Sequence, residues 1–299
     1  MTKIIALSDT HLDNSDIVMD DKGNIDYAKT LGIDEKFLPF LKNADYLLHA
    51  GDIQCQEAYD MLLDLNHNFF AVKGYYNDDN VKTKYAFSWD KIPGNEDGRF
   101  KEFFKNKFNI DWVKKAKIEK IDNGKTIKIS TKKNSLSIKL NDIKTEAVLE
   151  IDDGRTDKFL AKTENCVLNI YYVGIKLQEE DSITTVEGVR VGLVHRAFGN
   201  NFSEVVTKAK DMDVQVLVFG HIHHPLIAKG ERLLICPGYS RITPTSKAKN
   251  PVNLKDIPAI RNSRPSMAQI TIESSGLIRA MIIPLVYLPT DYQLIAHRG

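Results

Sequence analysis

Short apolar runs that close on polar residues recur in the first quarter of the chain and again in its last third, with helical spacing between them. "KIIALSD" (3–9), "DYLLHAGD" (45–52) and "NFFAVKG" (68–74) read as buried strands ending in Ser-Asp, Gly-Asp and Gly. "DEKFLPFLKNA" (34–44) is helix-like and interrupted by Pro39, and "QEAYDMLLDLNH" (56–67) sets Ala58, Met61, Leu62 and Leu65 on one helical face. Strand, helix, strand, helix, strand is the order of a layered α/β sheet. From about Asp79 to Glu187 the pattern changes. "FKEFFKNKFNIDWVKKA" (100–116) predicts one amphipathic helix, and alternating segments follow, punctuated by the turn signals "DNG" (122–124) and "DDG" (152–154). This stretch predicts a mostly β inserted domain. The first rhythm returns with strands at "GVRVGLVH" (188–195), "VQVLVFGH" (214–221) and "RLLICPG" (232–238). A helix at "FSEVVTKAKDM" (202–212), capped by Asn201 or Ser203, lies among them, and a closing hairpin runs from 266 to 285. The expected organisation is a discontinuous main domain (1–80 and 188–290), an inserted α+β accessory domain (81–187) and a C-terminal tail (291–299).

Composition narrows the class. The chain has 299 residues, 42% of them hydrophobic and 27% charged, which suits a globular protein with a sizeable core. A formal charge of +1 gives no global attraction to nucleic acid or membrane. Cys55, Cys166 and Cys236 form an odd, unpatterned set, so the expectation is no disulfide framework and a reducing, cytoplasmic location. No stretch has the length of a bilayer span or the pattern of a signal peptide, so no membrane partner is expected.

The strand ends carry the chemistry. The first offers Asp9 and His11, the second Asp52, and the third Gly74 followed by "YYNDDN". After the insert, one strand ends in His195 and the next in His221 and His223. Two imidazoles at i and i+2 point the same way along an extended chain, which suggests a shared ligand. Sheets of this kind place sites at the carboxyl ends of their strands, so groups distant in sequence can converge. Carboxylates with neutral imidazoles suit Mn, Fe, Zn or Ni. The groups are too many for one ion, and a carboxylate between two ions binds both.

Asp9-Thr10-His11, Gly51-Asp52, His195 and Gly220-His221-Ile222-His223, in this order, resemble the calcineurin-like metallophosphoesterase superfamily, and within it the small bacterial and archaeal phosphodiesterase branch. The likeness covers roughly residues 1–80 and 188–288 and includes "ICPGYSRITP" and the closing hairpin. It implies a four-layer α/β/β/α double-sheet sandwich whose main domain is catalytic. It also implies two divalent metal ions, Mn foremost. Asp9, His11, Asp52 and His223 would hold the first. Asp52, an asparagine, His195 and His221 would hold the second, with Asp52 bridging. Asp52 and His195 would then be catalytic as well as metal-ligating. A hydroxide between the ions would attack the phosphorus of a phosphodiester, and possible monoesters with it, the substrate being a phosphate ester, nucleotide or nucleic acid.

The sequence departs from the family pattern in three places. The asparagine is expected directly after the third strand, where Tyr75 stands. Asn77 is the favoured replacement, Asn95 in "IPGNEDG" (92–98) is the second candidate, and the third reading is that neither ligates. Arg196 follows His195 where the family often has Gly. No His accompanies either asparagine to protonate a leaving group, so good leaving groups, such as those of activated aryl diesters, are expected to be hydrolysed best. Cys236 reads as a small buried hydrophobe. Lys114, Lys115, Lys117, Lys120, Lys125, Lys128, Lys132 and Lys133 make the start of the insert basic, either as a solvated face or as a guide for anionic substrates. The competing functions are a non-catalytic protein-assembly scaffold and a nuclease gripping its polymer with the insert. The insert itself could be a lid or a homo-oligomer surface.

Overall fold

The computed structural model describes residues 1–75, 78, 81–92, 94, 97–164, 166–197, 202–241 and 265–285. The expected tail (291–299) lies outside them. In chain order the elements begin with β1 (Thr2–Leu7), α1 (Tyr27–Leu31), α2 (Leu38–Lys42), β2 (Tyr46–His49), α3 (Gln56–Leu65) and β3 (Phe69–Ala71). Next come β4 (Lys82–Ser88), α4 (Asp97–Phe108), β5 (Lys117–Ile121), β6 (Thr126–Ser130), β7 (Ser135–Leu140), β8 (Glu146–Ile151), β9 (Thr156–Glu164) and β10 (Val167–Lys176). The last are β11 (Glu180–Val186), β12 (Val189–Val194), α5 (Ser203–Asp211), β13 (Val216–Phe219), β14 (Leu226–Lys229), β15 (Leu233–Cys236), β16 (Ser266–Ile272) and β17 (Ile278–Pro284). They form two compact units, Met1–Thr83 with Lys176–Gly299, and Lys84–Ile175.

The first unit contains two five-stranded sheets, ordered β17-β16-β1-β2-β3 and β11-β12-β13-β15-β14. Alternate residues of each strand meet in a shared core: Ile4 and Ala6 of β1 and Leu48 of β2 pack with Val191 and Leu193 of β12 and Val216 and Val218 of β13. The intervening residues face outward and are buried under helices. Phe70 of β3 joins the shared core, so Phe69 points the other way, where its ring meets Tyr59 of α3 at 5.0 Å. On the far side, Val205 and Ala209 of α5 pack on Leu217 and Phe219. Helix, sheet, sheet, helix is the expected α/β/β/α sandwich. The parallel pairs β1–β2, β2–β3, β12–β13 and β13–β15 align six strand ends, and those of β1, β2, β12 and β13 carry the polar residues.

Several expectations change. Pro39 stands in the first turn of α2, where its missing N–H costs nothing, and does not interrupt a longer helix. At α5 the cap position is Phe202, with no side-chain cap bond, and Asn201 lies outside the described residues. Strands β4 and β14 carry no clear alternation and escaped the pattern reading. The insert is shorter than 81–187, because β11 pairs antiparallel with β12 (Glu180 opposite Val194) and so belongs to the first unit's sheet.

The second unit is a seven-stranded sheet ordered β4-β10-β9-β8-β7-β6-β5 with α4. The predicted helix over 100–116 ends at Phe108, because Asn109 takes a left-handed φ of 56°. Phe100, Phe103 and Phe104 of α4 pack with Ile127, Ile138, Leu149 and Phe159 of the sheet. The predicted turns form at 122–124 and 152–154, with Gly124 and Gly154 at φ of 83° and 89°. Part of the lysine-rich stretch is neutralised locally: Lys117 pairs with Glu119, Lys120 with Asp90 and Lys125 with Asp142. No helix among the described residues is long and apolar enough to cross a membrane.

Candidate metal centre

The loops after β1, β2 and β13 turn in the same unusual way. Asp9, His11, Asp52, Gln54, His221 and His223 all have positive φ, between 47° and 83°. Non-glycine residues there cost on the order of 1 kcal/mol or more each, and such strain gathers at functional sites. The backbone stays satisfied meanwhile. Asp9 N–H donates to the Gly51 carbonyl (3.0 Å) and His11 N–H to the Asp52 carbonyl (2.9 Å), extending the β1–β2 pairing past the strand ends. The His221/His223 pair is thus not an extended strand end as the sequence suggested. β13 stops at Phe219, and the left-handed turns send the two rings apart. His223 lies against His11, ring centroids 5.2 Å apart, and His221 against His195, also 5.2 Å.

This divergence divides the pocket in two. Ligand-type atoms of Asp9, His11, Asp52 and His223 all lie within 4.8 Å of one another. His223 Nε2 is 3.1 Å from Asp9 Oδ1 and 3.3 Å from His11 Nε2. Asp52 Oδ2 faces both halves, 3.8 Å from His11 Nε2 and 3.4 Å from His195 Nε2. His195 completes the second half with His221.

Tautomers follow from the hydrogen bonds. His195 Nδ1–H donates to the Ala50 carbonyl at 2.7 Å, which leaves a lone pair on buried Nε2, an atom with no hydrogen-bond partner among the described residues. A buried acceptor of this kind facing a carboxylate is what a cation would satisfy. The Gln54 side-chain amide lies 2.8 Å from His11 Nδ1. The atom toward the ring is the amide nitrogen, which donates to Nδ1; exchanging the amide's nitrogen and oxygen would let it accept Nδ1–H instead and free Nε2 for the pocket.

The charge states of His11, His221 and Asp9 fit the same use. Burial lowers His11 and His221 to about 4, so both are neutral near pH 7. Burial alone would raise Asp9, but the hydrogen bond and charge of His223 outweigh it and hold the carboxyl at about 2. Burial likewise opposes protonation of His223, and Asp9 overcomes it, raising His223 above its ordinary value.

Close packing sets the loops. A Cβ on Gly74 would stand 2.0 Å from Asp52 N and 2.1 Å from Asp52 Oδ1, and one on Gly220 would meet Ser8 Oγ at 2.2 Å. Only glycine lets these turns approach the carboxylate and the β1 end so closely.

Sequence reasoning missed the groups that brace the pocket. Asp78 is buried, and its carboxylate accepts backbone N–H bonds from Asp52 (3.0 Å), Ile53 (3.4 Å), Gln54 (2.7 Å) and Gly74 (2.7 Å). Those four bonds make Asp78 a clasp between the loops after β2 and β3. Arg241, also buried, donates to the His11 carbonyl (3.0 Å) and pairs with both oxygens of Asp16 (2.9 and 2.6 Å). His49 Nε2 meets Thr10 Oγ1 at 3.0 Å, between the two first-loop candidates. The signal for Arg241 was an arginine inside the apolar block "ICPGYSRITP". Asp78 gave none beyond its place in an acidic loop. Asn77 and Asn95 both lie outside the described residues. Cys55 caps α3, its sulfur accepting Ala58 N–H.

A family model described as the calcineurin-like phosphoesterase superfamily domain matches residues 2–252. No curated protein is a significant match. Among solved structures, Vacuolar Protein Sorting 29 from Cryptosporidium parvum is 12% identical, with 94% of this chain and 96% of that chain covered and a TM-score of 0.46. Wild-type Vps29 complexed with zinc from Entamoeba histolytica is 12% identical, with 95% and 100% covered and a TM-score of 0.44. A predicted phosphoesterase from Streptococcus pneumoniae is 12% identical, with 94% and 98% covered and a TM-score of 0.40.

Proposed function

The chain belongs to the calcineurin-like phosphoesterase superfamily, and from that premise we propose that it is a metal-dependent phosphodiesterase. The observation that carries the reading is the split pocket: Asp52 Oδ2 facing His11 on one side and His195 on the other. Asp9, His11, Asp52 and His223 would hold one divalent ion, and Asp52, His195 and His221 another, with Asn77 the proposed amide donor. The donor set of carboxylates and neutral imidazoles suits manganese and its neighbours. Two such ions, when bound, supply Lewis acidity to water and to phosphoryl oxygens.

The chain's own residues do the rest. Asp52 sets the spacing of the two halves. Asp9 stays ionised and keeps its charge on the first. The Ala50 carbonyl fixes the proton of His195 on Nδ1, so Nε2 faces the pocket. Arg241 and Gln54 hold the His11 loop and ring in place. Asp78 is spent on four amides and does not protonate a leaving group. Without that help, substrates whose leaving group needs no proton react fastest.

The test is manganese-dependent hydrolysis of bis(p-nitrophenyl) phosphate beside simple alkyl monoesters, with His223→Ala as control. The expected result is faster aryl diester turnover that chelator and His223→Ala abolish. Equal or faster alkyl monoester turnover, or metal uptake with no hydrolysis of any ester, overturns the reading.

A further inference from the structure

One aromatic residue stands where the family pattern has a ligand, and its side chain does not go into the core. Tyr75 is 64% exposed, and its ring centroid lies 6.4 Å from that of His221, tilted by 50°. Its backbone is held firmly. Tyr75 N–H donates to Asp52 Oδ1 at 2.6 Å, and the preceding glycine is pressed against Asp52 so closely that no side chain fits there. The backbone that carries this exposed, amphipathic ring is therefore fixed beside the second half of the pocket by the same carboxylate that joins the halves. Tyr239 differs: it is half-buried and stacks on His223 at 6.1 Å, where it backs the imidazole and offers less ring to solvent. Arg196, next to His195, is exposed, and its charge is felt at His221.

We propose that Tyr75 is a stacking platform for the planar part of the group esterified to the phosphate, a base or an aryl ring, with Arg196 supplying positive charge to the same site, so that the site selects nucleotide or aryl esters over alkyl esters. A π-face accepts any base or aryl ring without reading its edges, and Tyr provides it at little cost in side-chain freedom. The inference rests on the pocket being a phosphate-ester site and deepens that reading by naming the group beyond the phosphorus.

The test is equilibrium binding to the manganese-loaded protein of AMP, ribose 5-phosphate and phenyl phosphate, which share a phosphate and differ in the planar group. AMP is expected to bind about ten-fold tighter than ribose 5-phosphate, in line with stacking measured elsewhere by alanine substitution. Tyr75→Ala removes that advantage and Tyr75→Phe restores it. Arg196→Ala weakens all three ligands alike. Phenyl phosphate sharing the advantage points to aryl esters in general, and AMP alone to nucleotides; both support the platform. An AMP to ribose 5-phosphate ratio of one in the wild type, or a ratio untouched by Tyr75→Ala, overturns it. A protein that stacks AMP on Tyr75 yet hydrolyses no diester keeps this inference and loses the phosphodiesterase reading. Diester turnover with no Tyr75 dependence does the reverse.

Discussion

The two units of this chain are built on opposite principles. In the insert, local preference and tertiary packing agree. Strands alternate, turns fall on Asn-Gly and Asp-Gly, and the buried polar residues are small neutral ones such as Ser88, Thr126 and Asn169. Its core is a cluster of rings around Phe103, which meets Tyr85, Phe87, Phe104, Phe108, Phe159 and Tyr172 at centroid distances of 5.0 to 5.9 Å. In the sandwich, the strand ends oppose local preference. Asp9, His49, Asp52, Asp78, His195 and Arg241 are buried, and five of the six candidate ligands, all but His195, sit on left-handed backbone. A region whose buried groups are apolar or neutral follows its own sequence, whereas one that gathers charges needs other parts of the fold to hold it.

Four substitutions sharpen or break that contrast. Phe103→Ala should cost about 3–5 kcal/mol in the insert, the usual penalty for emptying an aromatic site. Chemical denaturation would read the loss, and manganese affinity should stay at the wild-type value; a parallel fall in affinity would remove the distinction between the units. Asp78→Ala strands four amides, three of them buried, and should destabilise the sandwich by about 3 kcal/mol. Manganese affinity should fall with it, and stability within a few tenths of wild type would show that the clasp is dispensable. Arg241→Lys keeps a cation against Asp16 but loses the fork that also reaches the His11 carbonyl. A ten- to hundred-fold weaker manganese affinity, read by calorimetry with little change in melting temperature, is expected from outer-shell changes of this kind.

Per pH unit, the smallest effect is that of acid. Burial lowers His49 to about 3, below its ordinary value of 6.5. The unfolded chain therefore takes up a proton first as pH falls. The His49 contribution is complete above pH 6.5 and declines toward pH 3, by roughly 1 kcal/mol per pH unit at most. Urea unfolding across this range should show a shallower slope for His49→Gln; identical slopes would place the acid sensitivity elsewhere.

The same contrast explains what the sequence disclosed. Asp9, His11, Asp52, His195, His221 and His223 were legible because each closes an apolar run, and the structure gathers all six around one pocket. The direction of the His221 and His223 side chains was not legible. Alternation holds for extended backbone, and these two residues are not extended. The braces were hidden for a different reason. Asp78 and Arg241 act on residues 24 and 230 positions away, at Gln54 and His11, and no local pattern records such distances. β11 was misplaced into the insert because strand character does not reveal which sheet a strand joins.

The hydrogen bond from His195 to the Ala50 carbonyl has a practical corollary. The ring is oriented by folding itself, so a cation's arrival or departure there asks for no rotation and no tautomer exchange. A stripped sample should keep its circular dichroism and accept fresh ions directly. Small modules whose chain order comes from the ion unfold when chelated; here the receptacle is cast before its cargo.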